Sequence, residues 1–89
     1  MMKEKEMERV LKALANRRRL AIIKFIKKEK EASVGDVAEE IKLSFKSTSK
    51  HLALLAAADI LEKEQRSSQM FYRLMGNSSE TIRSLSQFF

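Results

Sequence analysis

The chain of 89 residues carries 18 Lys and Arg against 12 Asp and Glu, which gives a formal net charge of +6. It contains no cysteine and one histidine, so disulfide scaffolds, zinc fingers, iron–sulfur sites and cysteine nucleophiles are excluded. The length suffices for one small domain, and 44% hydrophobic with 34% charged residues predicts a soluble, mainly helical fold. We expect a single domain over residues 1–89, and its charge allows nucleic acid, an acidic protein or an anionic membrane as partner.

No segment predicts export or membrane insertion. The first eight residues alternate Lys and Glu without an apolar core, which is untypical of a signal peptide. The longest apolar run, residues 52–58, is far too short to cross a bilayer. We therefore expect a cytoplasmic protein without a membrane partner.

Apolar residues at helical spacing predict four helices in the first two thirds of the chain. They cover, in order, roughly residues 4–14, 17–28, 34–41 and 44–58. Asn16 and Ser44 are good N-cap residues for the second and fourth helices, and Ser33 or Gly35 lies near the start of the third. The second helix is apolar over a wide arc, which is typical of a helix at the centre of a core.

Two later segments, residues 60–66 and 70–75, predict strands. The second is rich in strand-forming residues, and residues 65–69 between the two form a plausible hairpin turn. Asn77 precedes Glu80 by three positions, which predicts the capped start of a closing helix. The sequence thus predicts a mainly α fold with a small β-hairpin, in the order α-α-α-α-β-β-α.

The third and fourth helices have the connection length of a helix-turn-helix, since only residues 42–44 join them. The ionisable residues between Ile41 and Leu54 include no acid; they are Lys42, Lys46, Lys50 and His51. The second helix of such a motif enters the DNA major groove, so the acid-free fourth helix predicts a DNA-reading element. Its small hydroxyl side chains would let the backbone approach the groove, while lysines reach phosphates or guanine acceptors.

Four segments resemble the ArsR/SmtB-like winged-helix transcriptional regulators. Residues 11–20, LKALANRRRL, are similar to that family's opening LKALADPTRL segment. Residues 33–38, SVGDVA, resemble its SVGELA helix, and residues 43–52, LSFKSTSKHL, resemble its LSQSTVSHHL recognition helix. Residues 71–74, FYRL, are similar to the YYRL ending of its wing. The similarity runs without gaps from Val10 to Leu74.

The resemblance implies a winged helix-turn-helix homodimer that represses transcription at palindromic operators in double-stranded DNA, with residues 44–57 as recognition helix. The first helix and the last, residues 77–89, would form the dimer interface. The residues expected at that interface are Met7, Val10, Leu11, Ile82, Leu85, Phe88 and Phe89. Those expected to contact DNA are Ser44, Phe45, Lys46, Ser47, Ser49, Lys50, His51 and, on the wing, Arg66.

The metal sites of the family do not carry over to this sequence. Many relatives have thiolates in the segment that corresponds to residues 32–38, which reads ASVGDVA here. Others have Asp and His pairs on the last helix, where residues 79–89 offer only Glu80. Soft-metal sensing requires thiolate or imidazole ligands. We therefore expect no metal site, no cofactor and no response to metals, and the small-molecule effector stays an open question.

Other departures concern DNA contacts. Relatives commonly have Lys or Arg at the positions of Ala53 and Ala56, and a glycine where Asp59 follows the fourth helix. Aspartate tolerates the left-handed conformation better than most residues. The wing turn lacks its usual glycine, and Arg66 is its only cation, so a DNA contact by the wing would depend on Arg66. Phe45 replaces a commonly polar residue and would either contact a thymine methyl group or pack inward.

Three basic features have a structural alternative. His51 could contact a phosphate or be a satisfied, partly buried histidine. Lys46 and Lys50 could contact DNA or form a merely solvated face. The three arginines at 17–19 are similar to a nucleic-acid patch, yet they open a mostly buried helix in which Arg19 would be a structural residue.

We expect a sequence-specific DNA-binding regulator and not an enzyme, because the carboxylates lie on outer helix faces without a partner histidine. The rival interpretation is a winged-helix module that binds other proteins without using DNA. The missing helix lysines and the glycine-free wing favour this rival.

Overall fold

The computed structural model describes residues 3–75, which form four helices and three short strands. In chain order these are α1 (Glu4–Leu14), α2 (Arg17–Glu29), β1 (Ala32–Ser33), α3 (Val34–Ile41), α4 (Phe45–Ala57), β2 (Leu61–Arg66) and β3 (Gln69–Leu74). The prediction of a mainly α fold with a small β-hairpin is confirmed, and this hairpin of β2 and β3 is called the wing. The predicted last helix, with Ile82, Leu85, Phe88 and Phe89, lies outside the described residues.

Side-chain caps begin α2 and α4 at the predicted positions. The Asn16 side chain accepts a hydrogen bond from the Arg19 N–H at 3.1 Å. The Ser44 hydroxyl likewise accepts one from the Ser47 N–H at 3.1 Å. Each cap satisfies an N–H group that the first turn of a helix leaves without an intrahelical partner. The starts of both helices are therefore encoded by local sequence.

Ser33, and not Gly35, caps α3. Its hydroxyl accepts a hydrogen bond from the Asp36 N–H at 3.1 Å. The Asp36 carboxylate in turn accepts one from the Ser33 N–H at 3.4 Å. This reciprocal arrangement is a capping box, and it places the first residue of the helix-turn-helix directly after β1.

The sheet has three antiparallel strands in the order β1-β3-β2. The sequence predicts only the hairpin, because residues 29–32 have the composition of a polar connection. In the structure Ala32 pairs with Tyr72, and Ser33 pairs with Phe71. A strand of two residues is too short to show the alternation by which strands are predicted. Its pairing attaches the connection between α2 and α3 to the middle of β3.

The hydrophobic core lies between the helices and the sheet. α2 contributes three fully buried side chains, Ile22, Ile23 and Ile26, as its wide apolar arc predicts. The larger fully buried apolar side chains of the other segments are Val37, Leu52, Leu55, Ile60 and Leu61. Because α4 places its inner face in this core, its opposite face is held at the surface in a fixed orientation.

The hairpin turn is tighter than predicted. Arg66 pairs with Gln69, so the turn consists of Ser67 and Ser68 alone, in place of the expected residues 65–69. Ser67 has a φ of 56°, a value that glycine adopts most easily. A serine therefore occupies a left-handed position in the wing.

α4 ends in a second left-handed residue. Asp59 has a φ of 58°, and its N–H donates a hydrogen bond to the Ala56 carbonyl at 3.0 Å. The Ile60 N–H donates to the Leu55 carbonyl at 3.0 Å. These two bonds form a Schellman motif, whose left-handed position is usually glycine. Aspartate takes that position here, in agreement with the prediction.

Replacing Asp59 with glycine should stabilise the protein. Glycine adopts the left-handed conformation without steric cost, so we expect the free energy of unfolding to rise by roughly 0.5–1 kcal/mol. Asp59→Ala is the matched control, because alanine also removes the carboxylate but retains a Cβ. Thermal unfolding at one fixed protein concentration measures both variants. If the glycine variant is no more stable than the alanine variant, the left-handed strain is absent.

Candidate nucleic-acid interface

The turn between α3 and α4 sets the start of the candidate recognition helix. Lys42 adopts a left-handed conformation with φ 55° and ψ 53°. The Leu43 N–H donates a hydrogen bond to the Ala38 carbonyl at 3.1 Å, which closes the end of α3. Ser44 then caps α4. The three residues 42–44 thus form the short connection of a helix-turn-helix.

α4 separates an inner face from an outer one. Thr48, Leu52 and Leu55 lie at helical spacing and are fully buried. The predicted DNA contacts of α4 and its cap divide into two groups by exposure. Ser44, Phe45, Lys46 and Lys50 are exposed, and Ser47, Ser49 and His51 are partly exposed. The structure therefore brings seven of the eight predicted contact residues together in residues 44–51.

Phe45 is the first residue of α4 and is 62% exposed. Of the two alternatives that the sequence left open, inward packing is therefore excluded for this side chain. In helix-turn-helix proteins, residues at the start of the recognition helix contact base edges. The Phe45 ring is suited to an apolar contact with a thymine methyl group.

His51 lies partly buried against α2. The Arg19 guanidinium is 3.3 Å from the ring, measured from Nη1 to Nδ1. Burial and then the positive charges of Arg19 and Arg18 lower the pKa of His51 below its ordinary value of 6.5. The imidazole is accordingly neutral at neutral pH, so His51 adds no positive charge to the face formed by Lys46 and Lys50.

Arg19 has a structural role, as one of the two sequence alternatives proposed. Its Nε donates a hydrogen bond to the Ala13 carbonyl at 2.6 Å, and its Nη2 donates to the Lys12 carbonyl at 3.3 Å. These carbonyls belong to the last turn of α1, where helices lack intrahelical donors. Arg17 and Arg18 are exposed at the start of α2.

Arg66 does not extend freely from the wing. Both of its terminal nitrogens contact the Glu31 carboxylate, and Nη2 also lies 3.0 Å from Oε1 of Glu64. Its guanidinium stacks over the Phe71 ring, 4.6 Å from the ring centroid. For Arg66 to contact DNA as predicted from the sequence, a phosphate would have to replace these carboxylates.

Arg73 completes an ion-pair cluster on the wing. Its Nε lies 2.9 Å from Glu62, and its Nη1 lies 2.9 Å from Glu64. Hydrogen bonds from Arg66 and then from Arg73 lower the pKa of Glu64 from 4.5 to about 2. A hydrogen bond from Arg66 also lowers the pKa of Glu31. The cluster neutralises the charges of Arg66 and Arg73, and it was not predicted from the sequence.

Glu64→Gln should lower stability at neutral pH and reduce the sensitivity of the protein to acid. A carboxyl group with a lowered pKa contributes stability above its ordinary pKa of 4.5, and this contribution is lost as the pH falls towards about 2. The difference in Tm between the natural protein and the variant should therefore be largest above pH 5 and vanish near pH 2. Thermal unfolding followed by circular dichroism measures it, with Glu39→Gln, an exposed position on α3, as control. A difference that does not change with pH would contradict the cluster.

The surface of α1 is relevant to the predicted dimer interface. Met7 and Leu11 are 39% and 46% exposed, respectively, on this helix. Val10, the third residue of α1 predicted at the interface, is instead buried in the core of the protomer. α1 therefore presents two neighbouring apolar side chains to its surroundings.

Two other kinds of site are absent from residues 3–75. No group of three or more His, Cys, Asp or Glu side chains in this part of the chain could hold a metal ion. None of the helices in the same range is long and apolar enough to span a membrane.

Comparison with known proteins places this geometry in a family. The sequence profile described as bacterial regulatory protein, arsR family, matches residues 16–63, which include the helix-turn-helix. The chain belongs to the ArsR family. The resemblance stated from the sequence is thereby confirmed, and the protein is a transcriptional regulator with a winged-helix fold. Comparison with curated protein sequences gives no significant match.

Solved structures of ArsR-type regulators are similar along nearly the whole chain. HlyU from Vibrio cholerae is 29% identical with a TM-score of 0.80, and the match covers 98% of this chain and 92% of HlyU. A second similar structure is the homodimeric winged helix-turn-helix DNA-binding domain of a possible ArsR-family regulator from Mycobacterium bovis. It is 27% identical with a TM-score of 0.82, and the match covers 94% of this chain and 77% of the other. NolR from Sinorhizobium fredii is 26% identical with a TM-score of 0.79, covering 94% and 80% of the two chains.

Proposed function

We propose that this ArsR-family protein is a homodimeric repressor that reads palindromic operator DNA with residues 44–57. The observation that carries the proposal is the outer face of α4, where exposed Lys46 and Lys50 stand among short hydroxyl side chains without an acidic residue. Positive charge that no acid on the same helix compensates attracts the phosphate backbone. The small neighbours Ser47 and Ser49 allow the helix to approach base edges closely.

The dimensions of α4 fit the major groove. A helix of 13 residues is roughly 20 Å long, which is enough to cross the groove. In a symmetric dimer the two copies of α4 would enter successive major grooves about 34 Å apart. A palindromic operator would then present the same half-site to each protomer.

Two observations support a dimer. The similar DNA-binding domain from Mycobacterium bovis is homodimeric. In the present protein Met7 and Leu11 form an exposed apolar patch on α1 that a second protomer would cover. Ile82, Leu85, Phe88 and Phe89 remain predictions for the same interface.

The two wing arginines contribute little to DNA binding in this proposal. Arg66 is held by Glu31 and Glu64, and Arg73 is held by Glu62 and Glu64. Affinity then depends mainly on α4. We also propose that the regulator does not respond to metals, because it has no cysteine and a single histidine.

Selection of bound sequences from random duplex DNA tests the proposal. Purified protein at low salt should retain DNA and enrich a palindrome whose half-site centres lie about 34 Å apart, or one helical turn. Addition of Zn²⁺ or of a chelator should leave the affinity for the enriched duplex unchanged. Failure to bind any duplex at low salt would contradict the proposal and favour a winged-helix module that binds proteins only.

A further inference from the structure

Arg19 connects three helices through one guanidinium group. The side chain belongs to α2, and its Nε and Nη2 donate hydrogen bonds to the Ala13 and Lys12 carbonyls at the end of α1. Its remaining terminal nitrogen, Nη1, faces Nδ1 of His51 on α4 at 3.3 Å. Because two of its donors are anchored on backbone carbonyls, the guanidinium presents Nη1 to His51 in a fixed direction.

This contact determines the protonation of the imidazole ring. A guanidinium has only N–H donors and no acceptor. The Nδ1 atom of His51 must therefore accept the hydrogen bond, and it must be unprotonated. In the neutral ring the proton then resides on Nε2.

The position of His51 on α4 would allow the proton on Nε2 to be donated to DNA. The residue directly follows Lys50, which is exposed on the outer face of α4, and His51 is itself partly exposed. Helix residues within the first two turns of a recognition helix lie near the groove and its flanking phosphates. An Nε2–H group there can donate to a phosphate oxygen, whereas an unprotonated Nε2 would repel it.

We propose that Arg19 is a positioning residue for DNA binding, which holds His51 as the neutral Nε2–H tautomer so that its ring donates a hydrogen bond to a phosphate of the operator. This inference rests on the proposed function. Arg19 would thus affect the affinity for DNA although it does not contact DNA itself. This arrangement also joins the two alternatives for His51, because one ring nitrogen is satisfied within the protein and the other is left to donate to DNA.

The chain contains a single histidine, so its ring nitrogens can be observed without ambiguity. In ¹⁵N-histidine-labelled protein at pH 7.5, Nδ1 should resonate as an unprotonated nitrogen and Nε2 as a protonated one. In Arg19→Lys both neutral tautomers of His51 should be populated. An ammonium group lacks the planar set of N–H donors by which the guanidinium of Arg19 is anchored on α1 while it donates to Nδ1. A protonated Nδ1 in the natural protein would overturn the inference without any variant.

Binding to the selected duplex provides the second readout. His51→Ala should weaken binding roughly three- to tenfold per half-site, which is the effect of one hydrogen bond. His51→Gln should bind nearly as well as the natural protein, because its side-chain amide can donate from a similar position. Arg19→Lys should weaken binding by less than His51→Ala does, because mixed tautomers still include the Nε2–H form, and the double variant should lose no more than His51→Ala alone.

The outcomes separate the inference from the function on which it rests. If the natural protein binds no duplex, both are wrong. If it binds and His51→Ala binds equally well, the phosphate contact is wrong while the DNA-binding function stands. If the losses of Arg19→Lys and His51→Ala add in the double variant, Arg19 acts only by capping α1, and the inference is overturned.

Discussion

Lys50→Ala is expected to weaken operator binding about tenfold or more at low salt, because the dimer loses two charge-assisted contacts to phosphate. Each phosphate contact contributes about −0.9 to the slope of log K against log salt concentration, so the slope should become less negative by about 1.8 for the dimer. The loss should therefore be largest at low salt and diminish as salt is added. Fluorescence anisotropy of a labelled duplex over a salt series measures both quantities.

The matched control for this variant is Lys28→Ala. Lys28 is an exposed lysine in the last turn of α2, outside the helix-turn-helix, and its removal changes the net charge by the same amount. It should leave the salt slope nearly unchanged. If Lys50→Ala binds its operator like the natural protein at every salt concentration, the assignment of α4 as recognition helix is wrong.

Replacement of thymine by uracil in the operator should reveal the role of Phe45. The two bases differ only by the 5-methyl group, and burial of one such group contributes about 0.8 kcal/mol, or about fourfold in affinity. We expect one position in each half-site at which uracil weakens binding by that factor. Phe45→Ala should bind the thymine and uracil duplexes equally, because alanine has no ring that could cover the methyl group.

Phe45→Leu provides the control for this prediction. Leucine retains an apolar side chain at the first position of α4, so part of the preference for thymine should persist. If uracil is tolerated at every thymine of the operator by the natural protein, Phe45 does not contact a methyl group. Its exposure of 62% would then need another explanation.

The parts of the fold that local sequence encodes were predicted well. The helices follow from apolar spacing and from the side chains of Asn16 and Ser44, whose cap hydrogen bonds are made within three residues. The left-handed Asp59 follows from the family resemblance, because relatives usually have glycine at that position and aspartate tolerates the conformation better than most residues. β1 was missed, since only its pairing with β3, about forty residues away, defines it.

In the predicted site, too, features encoded by local sequence were predicted, and contacts between distant residues were not. The acid-free sequence of α4 predicts a DNA-reading face, and Lys46 and Lys50 of that helix are exposed in the structure. The pairing of Arg66 with Glu31 joins residues 35 positions apart, and no local pattern signals it. The ion pair between Glu62 and Arg73 could have been found, because these residues lie opposite each other once the hairpin register is known.

Amide chemical shifts test most directly whether residues 44–51 form the DNA-reading surface. The ¹⁵N-labelled protein is titrated with the duplex selected from random DNA, and the shift of each backbone amide is recorded. We predict that the largest changes fall on residues 44–51, with smaller changes on the wing at residues 66–69. Largest changes on the outer face of α2, or no change at low salt, would contradict the account.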